Sequence, residues 1–270
     1  MSASGVLLVA KPAGVTSHDV VARERRRLGK GVKVGHAGTL DPFATGLLLV
    51  LVGSATRAQR FLMELPKTYR AVARLGWTSD TGDRDGTLVE TGRVPDSLVL
   101  PTGEMMQRPP AYSAVKVGGE RLYKKARRGE AVEGEPRPVT VHRFEQLWRE
   151  GDRVGLELEV SSGTYVRQLV AGLGDAYCEE LERTAIGAFQ LADAERFVSL
   201  TEALGFLPGV ELGEEDAARA ANGVAVSGGQ CAVGSAQSAL RLTHRARLVA
   251  IARHEEGLLK PYVVFPEAGP

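Results

Sequence analysis

Six consecutive apolar residues, Leu47 to Val52, stand between two glycines and constrain the fold of this chain more than any other feature. The run is too short to cross a bilayer, because a membrane-spanning helix needs about 20 apolar residues. Its Leu- and Val-rich composition and its flanking glycines favour a strand that is buried on both faces. The run therefore predicts a layered globular domain with this strand in its interior.

The composition agrees with a globular protein in a reducing compartment. The chain has 270 residues, of which 43% are hydrophobic and 25% charged, which suits one large domain and one small one. Its two cysteines, Cys178 and Cys231, are too few for a disulfide framework. The apolar run Val6 to Ala10 has no basic residue before it and does not resemble a secretory signal. We therefore expect a cytoplasmic protein that is not bound to a membrane.

The net charge of +1 means that a nucleic-acid partner would have to be held by local basic patches. Three such clusters are present: Arg23 to Lys33, Arg121 to Arg128, and Arg241 to Arg247. Each cluster alone is most simply a solvated face of a helix or strand. The three together favour a polyanionic partner.

Apolar periodicity predicts the main elements of the first 200 residues. Strands are predicted over 6–10, 47–52, 69–75 and 154–160, with a further short one over 113–117. Helices are predicted after Thr16 or Ser17, from Ser54 or Thr56 to Leu65, over 121–128, and after Thr164. The stretch 91–110 is rich in proline and reads as irregular.

Beyond about Pro208 the pattern changes to short strand-like runs between Gly-rich turns. These runs cover 224–226, 239–242, 248–252 and 262–265, and they predict a small all-β domain of about 60 residues.

Several common chemistries are excluded by missing motifs. The sequence has no Gly-Lys-Ser/Thr phosphate loop and no Gly-x-Ser-x-Gly nucleophile elbow. Its five histidines and two cysteines are scattered without metal-ligand spacing. We therefore predict no metal and no cofactor.

The loop from Gly35 to Pro42 has properties of its own. Pro42 pushes Asp41 out of the α region, so this carboxylate lies in extended or turn backbone. Gly35 and Gly38 permit a sharp path and the close approach of a ligand. The loop enters the predicted central strand directly, which would give a reactive group a rigid mount. An ordinary aspartate in a surface turn fits the same residues, and they leave both readings open.

The sequence over 36–46 resembles the catalytic motif of the TruB family, the tRNA pseudouridine-55 synthases. It reads His-Ala-Gly-Thr-Leu-Asp-Pro-Phe-Ala-Thr-Gly. Four further segments resemble motifs of that family in the same order: Lys11 to Val21, Lys67 to Arg70, Pro109 to Lys116, and Ser162 to Arg167. The similarity runs from Val6 to about Phe197. The C-terminal segment that ends at Phe265 resembles the family's PUA-type RNA-binding domain more loosely.

The resemblance implies an α+β fold, the pseudouridine-synthase fold, with a mixed, largely antiparallel central sheet flanked by helices. It implies a catalytic domain over 1–207 and a small all-β PUA-like domain over 208–270. An RNA-gripping insertion is expected at about 109–138, where basic residues alternate with Tyr112 and Tyr123.

The implied reaction isomerises uridine-55 in the T loop of tRNA to pseudouridine. The N1–C1′ bond breaks, the base rotates, and it is rejoined through C5 without a redox change, so no cofactor is needed. Asp41 is the implied catalytic carboxylate. It can attack C1′, attack C6, or abstract a proton from C2′, and the sequence does not distinguish these routes.

The resemblance also assigns partners to Asp41. Arg167 is the implied cation that lowers the pKa of Asp41 and orients it. An arginine in the first turn of a helix is placed unfavourably with respect to the helix dipole, and a carboxylate partner would offset this. Tyr69 is the implied stacking residue, whose hydroxyl can serve in proton transfer from C5. Tyr165 is a second wall of the base pocket.

Three more residues receive substrate-binding roles. The resemblance implies that Leu181 makes a backbone or apolar contact to the base, that His36 takes the place of the flipped base in the RNA, and that Asp80 is the partner of His36. Without the motif positions, a lone Tyr or Leu is more simply explained by core packing.

The chain departs from the family pattern at three places. Arg93 to Arg108 is shorter than usual, which puts a surface helix in doubt. Leu173 to Glu180 lacks a Gly-Ala-His segment. Glu182 stands where the family usually has arginine, so a phosphate contact is in doubt.

Three functions remain to be compared. The first is a stand-alone enzyme that acts as a monomer on the T-arm of tRNA without an obligatory protein partner. The second is an RNA-guided pseudouridylase of a ribonucleoprotein complex, which the insertion at 109–138 argues against. The third is an RNA-binding or tRNA-folding factor without catalysis, a role that can also coexist with the first.

Overall fold

The computed structural model describes residues 4–110, 113, 115–122, 125, 128, 130, 134–227 and 239–265. Within them the protein consists of a ten-stranded sheet, a five-stranded sheet, two small two-stranded sheets and a few short helices. No helix in these ranges is long and apolar enough to cross a membrane.

The strands are numbered in chain order. In the first half of the chain they are β1 Gly5–Lys11, β2 Val34–Ala37, β3 Thr45–Val52, β4 Lys67–Leu75, β5 Trp77–Ser79, β6 Leu88–Glu90, β7 Gly103–Gln107, β8 Lys116–Val117 and β9 Glu120–Arg121. In the second half they are β10 Arg137–Glu150, β11 Arg153–Val160, β12 Ala176–Ile186, β13 Phe189–Gln190, β14 Phe197–Ser199, β15 Gly209–Glu211, β16 Val226–Ser227, β17 Leu240–His244, β18 Arg247–Glu255 and β19 Leu258–Val264.

Five α-helices are described, with two short 3-10 helices at Gly53–Ala58 and Leu191–Asp193. The α-helices are α1 Ser17–Leu28, α2 Gln59–Glu64, α3 Val166–Ala171, α4 Leu200–Ala203 and α5 Glu214–Ala221.

The large sheet has the strand order β14-β1-β3-β12-β4-β11-β10-β7, with β2 beside β3 and β13 beside β12. Its neighbours pair antiparallel, except that β3 and β12 run parallel over two residue pairs, Thr45–Glu182 and Gly46–Arg183. Two antiparallel halves therefore meet at a narrow seam. This sheet, with its flanking helices, confirms the predicted α+β fold.

Strand β3 is buried on both faces, as its continuous apolar sequence predicts. Leu47, Leu49 and Leu51 pack into one hydrophobic cluster, whereas Leu48 and Val50 pack into another cluster on the opposite face, together with residues of α1. Because strand side chains alternate between faces, the run of six apolar residues fills two cores at once.

The start of α1 follows the predicted capping chemistry. Thr16 is the N-cap, and its hydroxyl accepts a hydrogen bond from the Asp19 backbone N–H at 3.1 Å. The Asp19 carboxylate in turn accepts from the Thr16 N–H at 2.8 Å. This reciprocal capping box satisfies two backbone donors that the helix leaves open, and it fixes where the chain turns after β1.

The other half of the large sheet carries its own core. Alternate residues of β4, β11 and β12 point to one face, where Val166, Leu169 and Val170 of α3 cover them. The helix is shorter than the predicted periodicity suggests, since it ends at Ala171 and Leu173 packs from the following turn. It begins where the functional loops converge.

The C-terminal region is rich in β-structure, as predicted, with the strand order β15-β17-β18-β19-β16. It also contains one helix, α5, that the strand-like pattern did not predict. Glu214, Glu215 and Asp216 in its first turn favour it electrostatically. Ile251 and Phe265 of this region share a hydrophobic cluster with β1 and β3, so the two regions have a joint core.

Three parts of the chain differ from the predicted elements, and a fourth cannot be compared. Residues 103–107, within the stretch predicted as irregular, form β7 at the edge of the sheet. The helix predicted from Ser54 begins as a 3-10 turn. In the expected insertion, β8 and β9 are only two residues long. Tyr112 and Tyr123, and most of the helix predicted over 121–128, lie outside the described residues.

Candidate active site

A buried arginine holds the loop that carries Asp41 through hydrogen bonds to backbone carbonyls. Arg183 of β12 is almost fully buried, and its Nε donates to the Leu47 carbonyl at 2.8 Å. Its Nη2 donates to the Gly38 carbonyl at 3.1 Å. One guanidinium group therefore ties the loop before β3 to β3 itself, and it satisfies carbonyls that would otherwise be buried without a partner.

Two glycines let the chain follow this path. Gly38 has φ of +94° and Gly46 has φ of +110°, a region that side chains other than glycine rarely adopt. A Cβ on Gly46 would lie 2.3 Å from the Arg183 carbonyl oxygen. The seam between β3 and β12 is therefore too close for any side chain at this position.

Asp41 meets Arg167 at the mouth of this loop. Arg167 Nε lies 3.1 Å from Asp41 Oδ2, and Arg167 Nη1 lies 3.5 Å from Asp83 Oδ2. The side chain of Arg167 is 3% exposed and that of Asp83 is 8% exposed, whereas Asp41 is 32% exposed. One buried cation is thus shared by two carboxylates, of which Asp41 is the one that faces solvent. The structure brings Asp41 and Arg167 together as expected, and their catalytic roles stay predictions.

Asp83 was not singled out from the sequence. It lies in the loop between β5 and β6, where the Thr81 hydroxyl donates to its Oδ1 at 2.7 Å and the Asp85 N–H at 3.1 Å. Arg167 also donates to the Thr81 carbonyl at 3.0 Å. The acidic, Gly-containing sequence of this loop marks a turn, but it gives no sign that one of its carboxylates reaches α3.

Burial and the neighbouring charges shift the pKa of Asp41 in opposite directions. Burial raises the pKa of Asp41 above its ordinary value, and Asp83 acts in the same direction. Arg167 and Lys11 oppose this by favouring the ionised form. The expected effect of Arg167 is therefore present, but burial outweighs it, and the net shift of the pKa is upward.

Lys11 contributes a second cation from the end of β1. It is buried, and its Nζ donates to the carbonyls of Pro12 and Val15 at 2.8 Å and to that of Pro42 at 3.3 Å. Burial lowers its pKa to about 8, although the charge of Asp41 acts to raise it. Lys11 thus ties the end of β1 to the turn at Pro42 through backbone carbonyls.

Tyr69 and Leu181 form part of the same face of the sheet. Both are buried, in β4 and β12, and both belong to the cluster that contains Leu40 and Phe43 of the Asp41 loop. Leu181 pairs with Ala71 in the β4–β12 ladder, two residues from Tyr69 and on the same face. The structure places both residues close to the loop, and their contact with a base stays a prediction.

Tyr165 is the N-cap residue of α3, two positions before Arg167. Its ring centroid lies 5.8 Å from the Arg167 guanidinium carbon. Burial raises the pKa of the Tyr165 hydroxyl. The Gln107 amide grips its backbone, since Gln107 Nε2 donates to the Tyr165 carbonyl at 3.0 Å and its Oε1 accepts from the N–H at 2.8 Å. Gln107 ends β7, a strand that was not predicted, so its role was missed.

His36 lies in β2 at the entry to the loop. Its ring is at 79° to that of His18, with 5.4 Å between the centroids. Burial, the neighbouring His18 and Arg183 together lower the pKa of His36 to about 4, so the ring is neutral at physiological pH. Asp80 lies elsewhere, in the β5–β6 turn, where its exposed carboxylate accepts from the Thr87 N–H at 2.8 Å. The structure does not bring Asp80 and His36 together.

Glu182, where the sequence departs from the arginine that the resemblance implies, follows Leu181 in β12 and pairs with Thr45 of β3. It lines a hollow of about 430 Å³ together with Arg70, Arg84 and Glu180. Within the described part of the chain, no group of three or more His, Cys, Asp or Glu residues could hold a metal ion.

Comparison with known proteins identifies the family. A family model described as the N-terminal domain of the TruB family pseudouridylate synthases matches residues 25–166. A protein of Arthrobacter sp. (strain FB24) named "tRNA pseudouridine synthase B" is 37% identical over 97% of this chain and 96% of its own. The chain belongs to the TruB family of pseudouridylate synthases. The loop around Asp41 lies within the residues that the family model matches.

Other TruB-family relatives carry the same name. The protein of Corynebacterium aurimucosum is 42% identical over 82% of this chain and 83% of its own. That of Heliobacterium modesticaldum is 36% identical over 97% and 95%.

Solved structures agree on the fold. A structure titled "Crystal Structure of a Cbf5-Nop10-Gar1 Complex" matches with a TM-score of 0.70 and 25% identity, covering 97% of this chain and 85% of that one. An H/ACA RNP bound to a substrate RNA matches with a TM-score of 0.70 at 23% identity, covering 97% and 84%. The second match concerns the fold alone.

Proposed function

We propose that this TruB-family protein converts uridine-55 in the T loop of tRNA to pseudouridine, with Asp41 as the essential carboxylate. The observation that carries the proposal is the pairing of Asp41 with Arg167 at 3.1 Å, at the mouth of a loop that Arg183 holds rigid. The relatives named tRNA pseudouridine synthase B, similar over nearly the whole chain, support tRNA as the substrate.

The reaction is a balanced isomerisation. The N1–C1′ bond of the uridine breaks, a C5–C1′ bond forms, the proton on C5 is lost, and N1 gains one. Asp41 takes part either as a nucleophile at C1′ or C6 or as the base that removes the C2′ proton. All three routes need an ionised carboxylate. Arg167 favours that state and holds the carboxylate in one orientation, against the burial that raises its pKa.

The neighbouring side chains suit a base that has left its stack. An enzyme that acts on a base must take it out of the helix or loop, and an aromatic face then compensates for lost stacking by about 1–3 kcal/mol per base. In this proposal Tyr69 stacks on the uracil, Tyr165 and Leu181 close the pocket, and the neutral His36 fills the gap in the RNA. For Asp80 to act as the partner of His36, the β5–β6 turn must move when the RNA binds, because the Asp80 carboxylate accepts from the Thr87 N–H in this structure.

We further propose that the protein works in the cytoplasm as a monomer without a protein partner. An RNA-guided enzyme is the alternative, since the Cbf5 structures come from complexes with other proteins. Full-length similarity to proteins named for tRNA favours the stand-alone enzyme. Activity of the purified chain on bare tRNA supports it, and a requirement for a guide RNA contradicts it.

The decisive assay is tritium release from [5-³H]uridine-labelled tRNA. We expect release by the wild type and a loss of at least about a hundredfold in Asp41→Asn, since a lost proton-transfer or nucleophilic group costs that much or more. Asp152→Asn is the matched control, because Asp152 pairs with Arg74 at 3.0 Å on the far end of β4. The control should keep wild-type activity.

The position is tested with a substrate in which uridine-55 is replaced by cytidine. Release should disappear with this tRNA and persist with an isolated T-arm hairpin. If the wild type releases no tritium from tRNA, or if Asp41→Asn equals it, the proposal is wrong. A tRNA-folding role would then show as folding assistance that survives in Asp41→Asn.

A further inference from the structure

Gln107 connects two parts of the protein that are far apart in sequence. It is the last residue of β7, it is buried, and it pairs with Arg137 of β10. The segment between these two residues comprises almost all of the expected insertion at 109–138. The Gln107 side chain reaches from this pair to the backbone of Tyr165, 58 residues along the chain. It therefore joins the base of the insertion to the start of α3.

The contact uses both ends of the Gln107 amide. Its Nε2 donates to the Tyr165 carbonyl at 3.0 Å, and its Oε1 accepts from the Tyr165 N–H at 2.8 Å. An adjacent strand would offer a residue the same donor and acceptor. A glutamate has the same length, but its ionised carboxylate only accepts, and a methionine has no donor. The contact thus depends on the amide as well as on the length of the side chain.

The first turn of α3 depends on the direction of the Tyr165 carbonyl. The helix has only six residues, and a helix this short is marginally stable on its own. Tyr165 is its N-cap, but the Tyr165 side chain makes no capping hydrogen bond within the described part of the chain. The Tyr165 carbonyl accepts from the N–H groups of Gln168 and Leu169 at 3.1 and 3.3 Å. Gln107 therefore binds the oxygen from which the helix starts.

Arg167 lies in this first turn and sets the geometry of the candidate active site. Its Nε is 3.1 Å from Asp41 Oδ2, and its Nη1 donates to the Thr81 carbonyl at 3.0 Å. The Tyr165 ring centroid is 5.8 Å from its guanidinium carbon. A rotation of the first turn would displace both side chains together. A misplacement of about 1 Å near the reacting atoms can lower a rate by about a hundredfold.

We propose that Gln107 is a positioning residue for the reaction, which holds the Tyr165 backbone so that Arg167 meets Asp41 in one orientation. It acts through Tyr165 and α3 and not on the reacting atoms. The inference rests on the proposed function of Asp41. A contact that only anchors the insertion makes a different prediction, because its loss would weaken RNA binding and leave the rate on bound RNA unchanged.

Single-turnover tritium release from [5-³H]uridine-labelled tRNA at saturating enzyme, with filter binding of the same tRNA, separates these two roles. Gln107→Met keeps the length of the side chain and removes both hydrogen bonds. Its rate should fall by about tenfold to a hundredfold, while its Kd for tRNA stays close to that of the wild type. Gln146→Met, the same exchange at an exposed glutamine of β10, should keep the wild-type rate.

Gln107→Glu adds a readout that a merely structural role would not move. Burial raises the pKa of the introduced carboxyl group. When protonated, this group donates and accepts as the amide does, and when ionised it only accepts. Its rate should therefore equal that of Gln107→Met at alkaline pH and regain most of the lost factor as the pH falls. Arg137, Arg167 and Asp41 act on the neighbouring Tyr165, and dividing by the Gln107→Met rate at each pH cancels their effect.

A rate of Gln107→Met equal to that of the wild type, or a loss that appears only in Kd, would overturn the inference. If thermal unfolding shows that Gln107→Met is not folded, Gln107→Glu is compared with the wild type alone, and equal rates at every pH contradict the inference. The two proposals fail distinguishably. A wild type that releases no tritium contradicts both, whereas an active wild type with unaffected Gln107 variants contradicts this inference alone.

Discussion

At the scale of single residues, the site depends on buried charges that neighbouring charged groups stabilise. Asp41 is held near a cation, yet burial keeps its pKa raised. Sequence similarity could predict Asp41 and Arg167, because both stand in recognisable motifs. It could not predict Asp83, since a carboxylate in an acidic turn normally faces water, and only the fold shows that this one reaches Arg167.

The pH dependence of the reaction tests this arrangement. Asp41 must be ionised, so activity falls as the pH falls through its pKa, and a raised pKa places this loss at a higher pH than for a free carboxylate. Arg167→Gln removes a cation that lowers the pKa, by about 1–3 units for a close pair. The acid limb of kcat/KM should therefore move up by about one pH unit or more.

Arg167→Lys is the matched variant, because it keeps the charge but loses the planar guanidinium. Its acid limb should stay nearer to that of the wild type, even if kcat falls. The measurement is tritium release across the acid range with variants that circular dichroism shows to be folded. An acid limb that stays in place in Arg167→Gln would show that Arg167 does not control the ionisation of Asp41.

At the scale of elements, periodicity predicted the strands that bury a regular set of apolar residues and missed those that do not. Strand β3 was evident from its six apolar residues. Strand β12 was not, since one of its buried positions is Arg183, which interrupts the alternation. The charge is tolerated there only because Gly38 and Leu47 provide carbonyl acceptors, and these come from a distant part of the chain.

The close approach of β3 and β12 at Gly46 predicts that a side chain at this position destabilises the protein. Gly46→Ala forces a Cβ to 2.3 Å from the Arg183 carbonyl, at a φ that alanine disfavours. We expect a loss of at least about 2 kcal/mol in the free energy of unfolding, measured by urea denaturation. Gly213→Ala, at a position where a Cβ meets nothing within 4 Å, is the control. Equal stability of the two variants would contradict the tight seam.

At the scale of the whole molecule, the C-terminal region is joined to the rest by a shared core. Ile251 is fully buried and belongs to the cluster that contains Val6 and Leu49 of the large sheet. The sequence predicted a separate small domain from its change of pattern. It could not predict the joint core, because apolar residues at an interface look like those of a domain interior.

The joint core predicts cooperative unfolding. Ile251→Ala should destabilise the protein by about 2–5 kcal/mol and lower one common thermal transition. Leu258→Ala, at a position that is 40% exposed, should change the melting temperature little. Calorimetry that resolves two transitions, with only the smaller one shifted by Ile251→Ala, would show that the two regions unfold independently.

The single guanidinium that serves both Asp41 and Asp83 also restricts how proteins of this kind can diverge. An exchange of Asp41 and Arg167 would preserve one ion pair but would leave Asp83 facing another carboxylate. No single compensating substitution repairs a change at Arg167, because each carboxylate depends on it. We therefore expect Asp41, Asp83 and Arg167 to be retained together in related proteins, and substitutions to accumulate in the surrounding loops and surfaces.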